Sequence, residues 1–291
     1  MAEFDFQEAF SRNIGWLTRA EQETLRHKRV AIAGMGGVGG DHLVRMARLG
    51  TGRFTISDLD VFEVGNFNRQ YGATMDTVGR PKVEVMRDLA GSINPEADIR
   101  VFPQGVSAEN VREFLADCDL YIDSLDFFEL EIRRIVFRSC RELGIPAITA
   151  APLGMGTALL VFTADGMSFD DYFDFDSVDA WEDRMIKFLV GLSPRMLQRR
   201  YLTGDSRIDF TARRVPSTGI GITLAAGVAC TTALKLLLGR GEVITAPRGL
   251  HFDAYENRAV RTWRPGGNRN PLQKLAFAIA RRVIEKQRRG A

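Results

Sequence analysis

Cysteine is scarce in this 291-residue chain: Cys118, Cys140 and Cys230 stand far apart, with no C-x-x-C pair. That excludes a disulfide framework and a four-cysteine zinc site. Histidine is equally sparse. His27, His42 and His251 have no ligand-like spacing, so neither a histidine-rich metal site nor zinc is expected. The apolar runs fall short of the roughly 18 residues that a membrane-crossing helix needs, and the acidic start MAEFDFQEAFSRN lacks a signal-peptide core. No transmembrane segment is expected, and the cytoplasm is the expected location. Net charge is small, +2, but it is unevenly placed. From residue 246 onward eleven Lys/Arg face three Asp/Glu, a surplus of +8, while the rest of the chain carries 28 against 34, or −6. An acidic body with a basic tail fits a polyanionic partner, and it equally fits a solvated helix face.

What the chain has in quantity is an alternation of strand and helix patterns. Over residues 29–163 the strands are RVAIAGM, RFTISDLD, DIRVFPQG, DLYIDSLD, IPAITAA and GTALLVF. Between them lie a helix after the glycines, then PKVEVMRDLAGSIN, ENVREFLADC and ELEIRRIVFRSCRELG, with apolar residues three or four apart. This rhythm predicts right-handed crossovers and an α/β fold whose sheet is mostly parallel, flanked by helices. Residues 164–217 break the rhythm, acidic and aromatic first and then basic, as lids, crossovers and partner-binding segments do. Residues 218–291 read as a buried helix capped by Ser217 or Thr218, two closing antiparallel strands and a terminal helix. On that last helix Leu275, Ala276, Ile279, Val283 and Ile284 can form a packing stripe, leaving Arg281, Lys286, Arg288 and Arg289 exposed. The whole reads as one domain: an N-terminal segment (1–28), a nucleotide-binding core (29–163), a crossover (164–217) and a C-terminal portion (218–291).

The glycine run GMGGVGG follows the first strand and opens the first long helix. Gly34, Gly36, Gly37 and Gly39 permit a tight bend and close backbone approach, and helix N–H groups there face an anion. No Lys-Ser/Thr follows, so this is not a Walker loop. Asp58, at the end of the second strand, suits the ribose hydroxyls of either an adenosine or a nicotinamide dinucleotide. The decision comes from DLDVFEVGNFNRQYGATMDTVGRPKVEV, which sets Asp60, Asn66, Asn68, Arg69 and Gln70 on a loop and Lys82 at a helix start. Two added cations suit a triphosphate losing pyrophosphate, whereas a redox dinucleotide has no need of them. By composition alone each of them could be an ordinary exposed residue.

The segments SRNIGWLTRAEQETL, GMGGVGG, SDLDVFEVGNFNRQ, VGRPKVE, INP and DSLD lie in order across residues 11–126. Together they resemble the ThiF/MoeB/ubiquitin-activating-enzyme-like superfamily, with the NFNRQ form similar also to its TcdA branch. The resemblance implies a Rossmann-like fold and ATP-dependent adenylation of a carboxylate, carried by a sulfur-carrier or ubiquitin-like protein, a peptide or a small molecule. It implies that the glycine loop faces the phosphates, Asp58 binds ribose, and Asn66, Arg69 and Lys82 hold the triphosphate. Asp126 would bind Mg²⁺, with Asp123 as the alternative, and Arg12 would reach the ATP of the neighbouring subunit in a homodimer. The chain departs from many relatives in lacking paired zinc cysteines. Residues 141–229 contain no cysteine, so no crossover thioester is expected. A tRNA-modifying enzyme similar to TcdA is an alternative, to which the basic tail gives some support. An NAD-dependent oxidoreductase and a non-catalytic adaptor are the remaining readings.

Overall fold

The computed structural model describes residues 3–203, 213 and 215–289, with side chains through residue 285. Two short helices, α1 (Phe6–Ala9) and α2 (Arg19–His27), precede the sheet. α2 starts at a capping box: Thr18 Oγ1 accepts from the Glu21 N–H, and a Glu21 carboxylate oxygen accepts from the Thr18 N–H. The core then alternates β1 (Arg29–Ala33), α3 (Gly37–Arg48), β2 (Arg53–Ser57), α4 (Lys82–Ile93), β3 (Asp98–Phe102), α5 (Val111–Phe114), β4 (Leu120–Asp123), α6 (Leu130–Glu142), β5 (Ala147–Leu153) and β6 (Gly156–Phe162). A helical excursion, α7 (Phe169–Phe173) and α8 (Trp181–Leu192), leads towards the long α9 (Gly219–Leu238). The strands β7 (Arg248–Asp253) and β8 (Arg258–Trp263) and the terminal α10 (Pro271–Arg289) complete the chain.

Among the described residues the eight strands join one sheet in the order β3-β2-β1-β4-β5-β6-β7-β8. The first five are parallel, and β6, β7 and β8 extend the sheet antiparallel. Strand order reverses between β1 and β4, and the crevice at that switch point is where open α/β sheets take their ligands. Alternating side chains feed two cores. Val30 and Ile32 of β1 pack with α2, α3, α4 and α9, while Ala31 and Ala33 face α5, α6, α7 and α8. α9 is the one helix among the described residues with the length and apolar composition to cross a membrane. It lies against α3, β5 and β6, where the buried Ala225, Ala229 and Ala233 let it approach closely. Its cap is Thr218, whose Oγ1 accepts from the Gly221 N–H.

Three expectations change. The helix over ENVREFLADC shrinks to one turn. Asn110 bonds back to Ser107 and Gly105 on one side, and Asp117 adopts a left-handed φ of 57° on the other. The acidic, aromatic start of the crossover is no surface lid: Phe169, Tyr172, Phe173 and Phe175 are buried in the second core. Residues 204–212 and 214 of that segment lie outside the described residues.

The terminal helix docks on a shifted stripe that keeps Ile284 of the expected one. Phe277, Ala280 and Ile284 meet the core, while Leu275, Ile279 and Val283 are exposed. Buried amides set this phase. Asn268 donates to Phe173 and Lys187 carbonyls and Gln273 to the Val190 carbonyl, so residues three and four apart from Gln273 turn inward. Arg281 is half-exposed and pairs with Asp183 and Glu285. The side chains of Lys286, Arg288 and Arg289 lie outside the described residues.

Candidate nucleotide site

The turn after β1 is built by contacts that only glycine tolerates. Gly34 has φ 94°, and a Cβ there would stand 2.3 Å from the Ser124 carbonyl oxygen. A Cβ on Gly39 would stand 1.8 Å from the Gly34 carbonyl oxygen. Gly37 is closed off by Ile222 of α9, and Gly36 lies beneath the Gln70 amide. The N-terminus of α3, which has no side-chain cap among the described residues and carries a partial positive charge, therefore packs closely against the loop after β4.

Asp58 holds the turn. Its Oδ2 accepts from the Met35 N–H at 2.7 Å and its Oδ1 from the Asp60 N–H at 2.8 Å. Burial raises its pKa, opposed by those two N–H groups and the nearby Lys82 charge. Each oxygen keeps a lone pair that a ribose hydroxyl can use. Lys82, buried at the start of α4, donates from Nζ to Asp60 Oδ2 at 3.0 Å, while its N–H binds the Asp60 carbonyl. That leaves ammonium protons for a second acceptor.

The NFNRQ loop lies against the turn. Arg69 donates to the Gly65 carbonyl and to Asn68 Oδ1, and among the described residues no carboxylate pairs with it. Its backbone lies against the first residues of both α3 and α9, Gly37 and Gly219. Asn68 Nδ2 binds the Ser217 carbonyl, tying the loop to the approach of α9. Asn66 Oδ1 accepts from the Glu63 N–H. Gln70 is buried, with an Oε1 that has no partner among the described residues.

Beyond β4 the two aspartates separate. Asp123 is buried in an ion pair with Arg133, Nε to Oδ2 at 2.8 Å, so its charge is already neutralised. Asp126 is exposed, and among the described residues its carboxylate is engaged at Oδ1, which accepts from the Phe128 N–H. Arg133 also donates to the carbonyls of Leu125 and Asp126, fixing the loop that presents Asp126. Sequence reading missed Arg133. The signal was its shared helical phase with Leu130, Phe137 and Cys140, an arginine on an otherwise apolar face.

Arg12 stands apart. It is exposed on the turn Ser11–Asn13, and Asn13 bonds the Arg48 carbonyl, at the far end of α3 from the glycines. Twelve residues of helix put about 18 Å between those ends, so the chain does not bring Arg12 to its own turn. The other residues lie on the segments that follow β1, β2 and β4: Gly34, Gly36, Gly37 and Gly39 in the turn, Asp58, Asp60, Asn66, Asn68, Arg69, Gln70 and Lys82 after β2, and Asp126 after β4. Contacts link Gly34 to Ser124, Gly36 to Gln70, Met35 to Asp58 and Asp60 to Lys82.

The family model for the ThiF family matches residues 10–275. The tRNA threonylcarbamoyladenosine dehydratase of Bacillus subtilis is 34% identical over 142 residues, 48% of this chain and 55% of that protein. The sulfur carrier protein ThiS adenylyltransferase of Escherichia coli is 29% identical over 142 residues, 49% of this chain and 56% of that protein. The chain thus spans about half the length of these curated relatives. E. coli MccB, crystallised with AMPCPP and MccA, superposes with a TM-score of 0.67 at 18% identity, covering 90% of this chain and 72% of MccB. At that identity the likeness is one of fold.

Proposed function

The chain belongs to the ThiF family, and from that membership we propose that it uses ATP to adenylate a substrate carboxylate, releasing pyrophosphate. The observation that carries the reading is Arg69, which pairs with no carboxylate among the described residues, and the Lys82 ammonium, which Asp60 engages in one bond, both on the segment packed against the N-terminal turn of α3. A triphosphate suits those cations better than a nicotinamide dinucleotide does. A carboxylate oxygen attacks the α-phosphorus, the bond from that phosphorus to the bridging oxygen breaks, and the electron pair leaves with pyrophosphate. The nucleophile is already an anion and needs no general base. The chain's task is to hold two anions together, which it does with the α3 N–H groups, Arg69 and Lys82.

A magnesium ion would add further neutralisation of the phosphates. Asp126 fits it, as an exposed carboxylate with one oxygen unengaged among the described residues, and Mg²⁺ commonly takes one or two carboxylates with phosphate and water oxygens for the rest. Asp123, spent on Arg133, does not.

We further propose a symmetric homodimer in which Arg12 completes the partner's site. Its support is the distance of Arg12 from its own turn, together with the exposed apolar residues Leu59, Val64, Tyr71 and Met75 on the segment after β2 and Ile220 at the start of α9, suited to burial against a second copy. The substrate is a carboxylate on a small carrier protein or peptide, by analogy with ThiS for the E. coli relative. The reaction belongs in the cytoplasm, where ATP is abundant. All three thiols are buried, so the acyl-adenylate passes to an external nucleophile. A TcdA-like action on tRNA is the second reading, favoured by the B. subtilis relative and the basic C-terminal region. Calorimetry with ATP·Mg²⁺ and with NAD tests the core proposal. ATP binding without NAD binding is expected, and tight NAD binding alone would refute it.

A further inference from the structure

Directly behind the phosphate turn, in the second turn of α3, lies a histidine that the chemistry above does not use. His42 is fully buried. Its Nδ1 lies 2.9 Å from Ser124 Oγ, and its Nε2 has no partner among the described residues. Burial depresses its pKa to about 3, so the ring is neutral and carries a single N–H. A buried N–H without an acceptor is rarer in folded proteins than a buried acceptor without a donor. The tautomer that leaves no N–H stranded carries the proton on Nδ1, where it donates to Ser124 Oγ. An apolar side chain of similar volume would fill the same space without stranding Nε2, so the bond to Ser124 is what offsets the cost of burying the imidazole.

Ser124 lies where the two halves of the site meet. Its carbonyl oxygen lies against Gly34, and its Cβ would be 3.0 Å from a Cβ on Gly39. Two residues further on is Asp126. We infer that His42 is a positioning residue: through Ser124 it ties the phosphate helix α3 to the loop after β4, so that the glycine turn and the Asp126 carboxylate keep one fixed spacing. Arg133 holds that loop from the α6 side by its bonds to Leu125 and Asp126, and His42 holds it from the α3 side. This inference rests on the adenylation reading, because it gives Asp126 its role beside the phosphates.

The test compares His42→Leu, which fills the space without a donor, His42→Asn, which restores a donor near the Nδ1 position, Ser124→Ala, and His42→Leu combined with Ser124→Ala. Calorimetry measures ATP affinity with Mg²⁺ and with EDTA. His42→Leu should weaken Mg²⁺·ATP binding about tenfold, the scale of one buried hydrogen bond, and leave metal-free ATP binding within about twofold. His42→Asn should recover most of the loss. In the Ser124→Ala background, His42→Leu should add nothing. Equal losses with and without metal, or a full additional loss in that background, would make His42 a core filler and overturn the inference.

Proton–nitrogen NMR of the three histidines gives a readout independent of nucleotide. A protected His42 Nδ1–H that shifts on Ser124→Ala is expected, and an Nε2–H tautomer would overturn the assignment. Should His42→Leu fail to fold, Ser124→Ala alone must produce the metal-specific loss. A wild-type protein that binds no ATP would refute the adenylation reading, whereas a binding wild type with additive variants would refute this inference alone.

Discussion

Alanine at Gly39 and alanine at Gly36 should fail in different ways, and the difference can be worked from the turn. A Cβ at Gly39 would lie 1.8 Å from the Gly34 carbonyl oxygen, where 3.4 Å marks an ordinary contact. Neither partner is a flexible side-chain end, so the start of α3 and the end of β1 must move apart by more than an ångström. Overpacking of this kind costs about 1–3 kcal/mol, and alanine's better helix propensity returns about 1 kcal/mol. The net loss is therefore about 0–2 kcal/mol, a fall in Tm of at most about 8 °C. The effect on the ligand is larger, because a misplacement on the ångström scale at the phosphate-facing N–H groups can cost about a hundredfold. At Gly36 an added Cβ would meet only the Gln70 amide, at 3.4 Å. Gly36→Ala should leave Tm unchanged and still weaken ATP, since its methyl occupies the crevice. Thermal melts and ATP calorimetry on the two variants decide the matter. A Gly39→Ala protein that binds ATP like the wild type would refute this account of the turn.

Other outcomes follow from the same geometry. Asp123→Asn strands Arg133 and should cost about 3–5 kcal/mol in urea unfolding, whereas Asp126→Asn should leave stability intact and abolish pyrophosphate exchange. Mixing Arg12→Ala with Asp126→Ala chains should restore about a quarter of the sites if Arg12 acts across a dimer, and none if it acts within its own subunit. Burial pushes the Cys118 thiol to about 11, the Cys230 thiol to about 12 and the Cys140 thiol well above its ordinary value, so all three stay protonated at neutral pH. A variant with alanine at all three should therefore keep exchange and product formation, and its failure to form product would reveal a thioester. His42 and His251 are depressed by burial from 6.5 to about 3 and about 4. The unfolded chain thus binds protons that the folded one does not, and stability should fall as pH drops below 6.5, by about 1.4 kcal/mol per pH unit for each ring. His251→Leu should flatten that slope in urea titrations at successive pH values, and an unchanged slope would count against a neutral buried ring.

Most of the sheet was legible because each strand carried its own apolar run between turn residues, and β6 was read to the residue. The glycine turn and Asp58 stand where the sequence spacing put them, after β1 and after β2, with Arg69 on the loop that follows and Lys82 at the start of α4. What escaped depends on partners distant in sequence. Arg133 reads as a surface helix cation until Asp123 is seen opposite it, and His42 as a core histidine until Ser124 is placed 82 residues away. The phase of α10 was misread for the same reason. Asn268 and Gln273 set it through carbonyls of the crossover, and hydrophobic spacing alone allowed Leu275 and Ile279 to face inward. The choice between Asp123 and Asp126, open in the sequence, turns on which carboxylate already has a buried cation.

Carboxylate adenylation is tested most directly by ATP–pyrophosphate exchange, measured with labelled pyrophosphate, Mg²⁺ and a panel of small proteins and peptides, including products of neighbouring genes, each with a free or an amidated C-terminus. The account predicts label entering ATP only with a matching free carboxylate, and loss of that exchange on amidation and in Lys82→Met. Exchange that survives amidation of the matching substrate, or that persists undiminished in Lys82→Met, would contradict it.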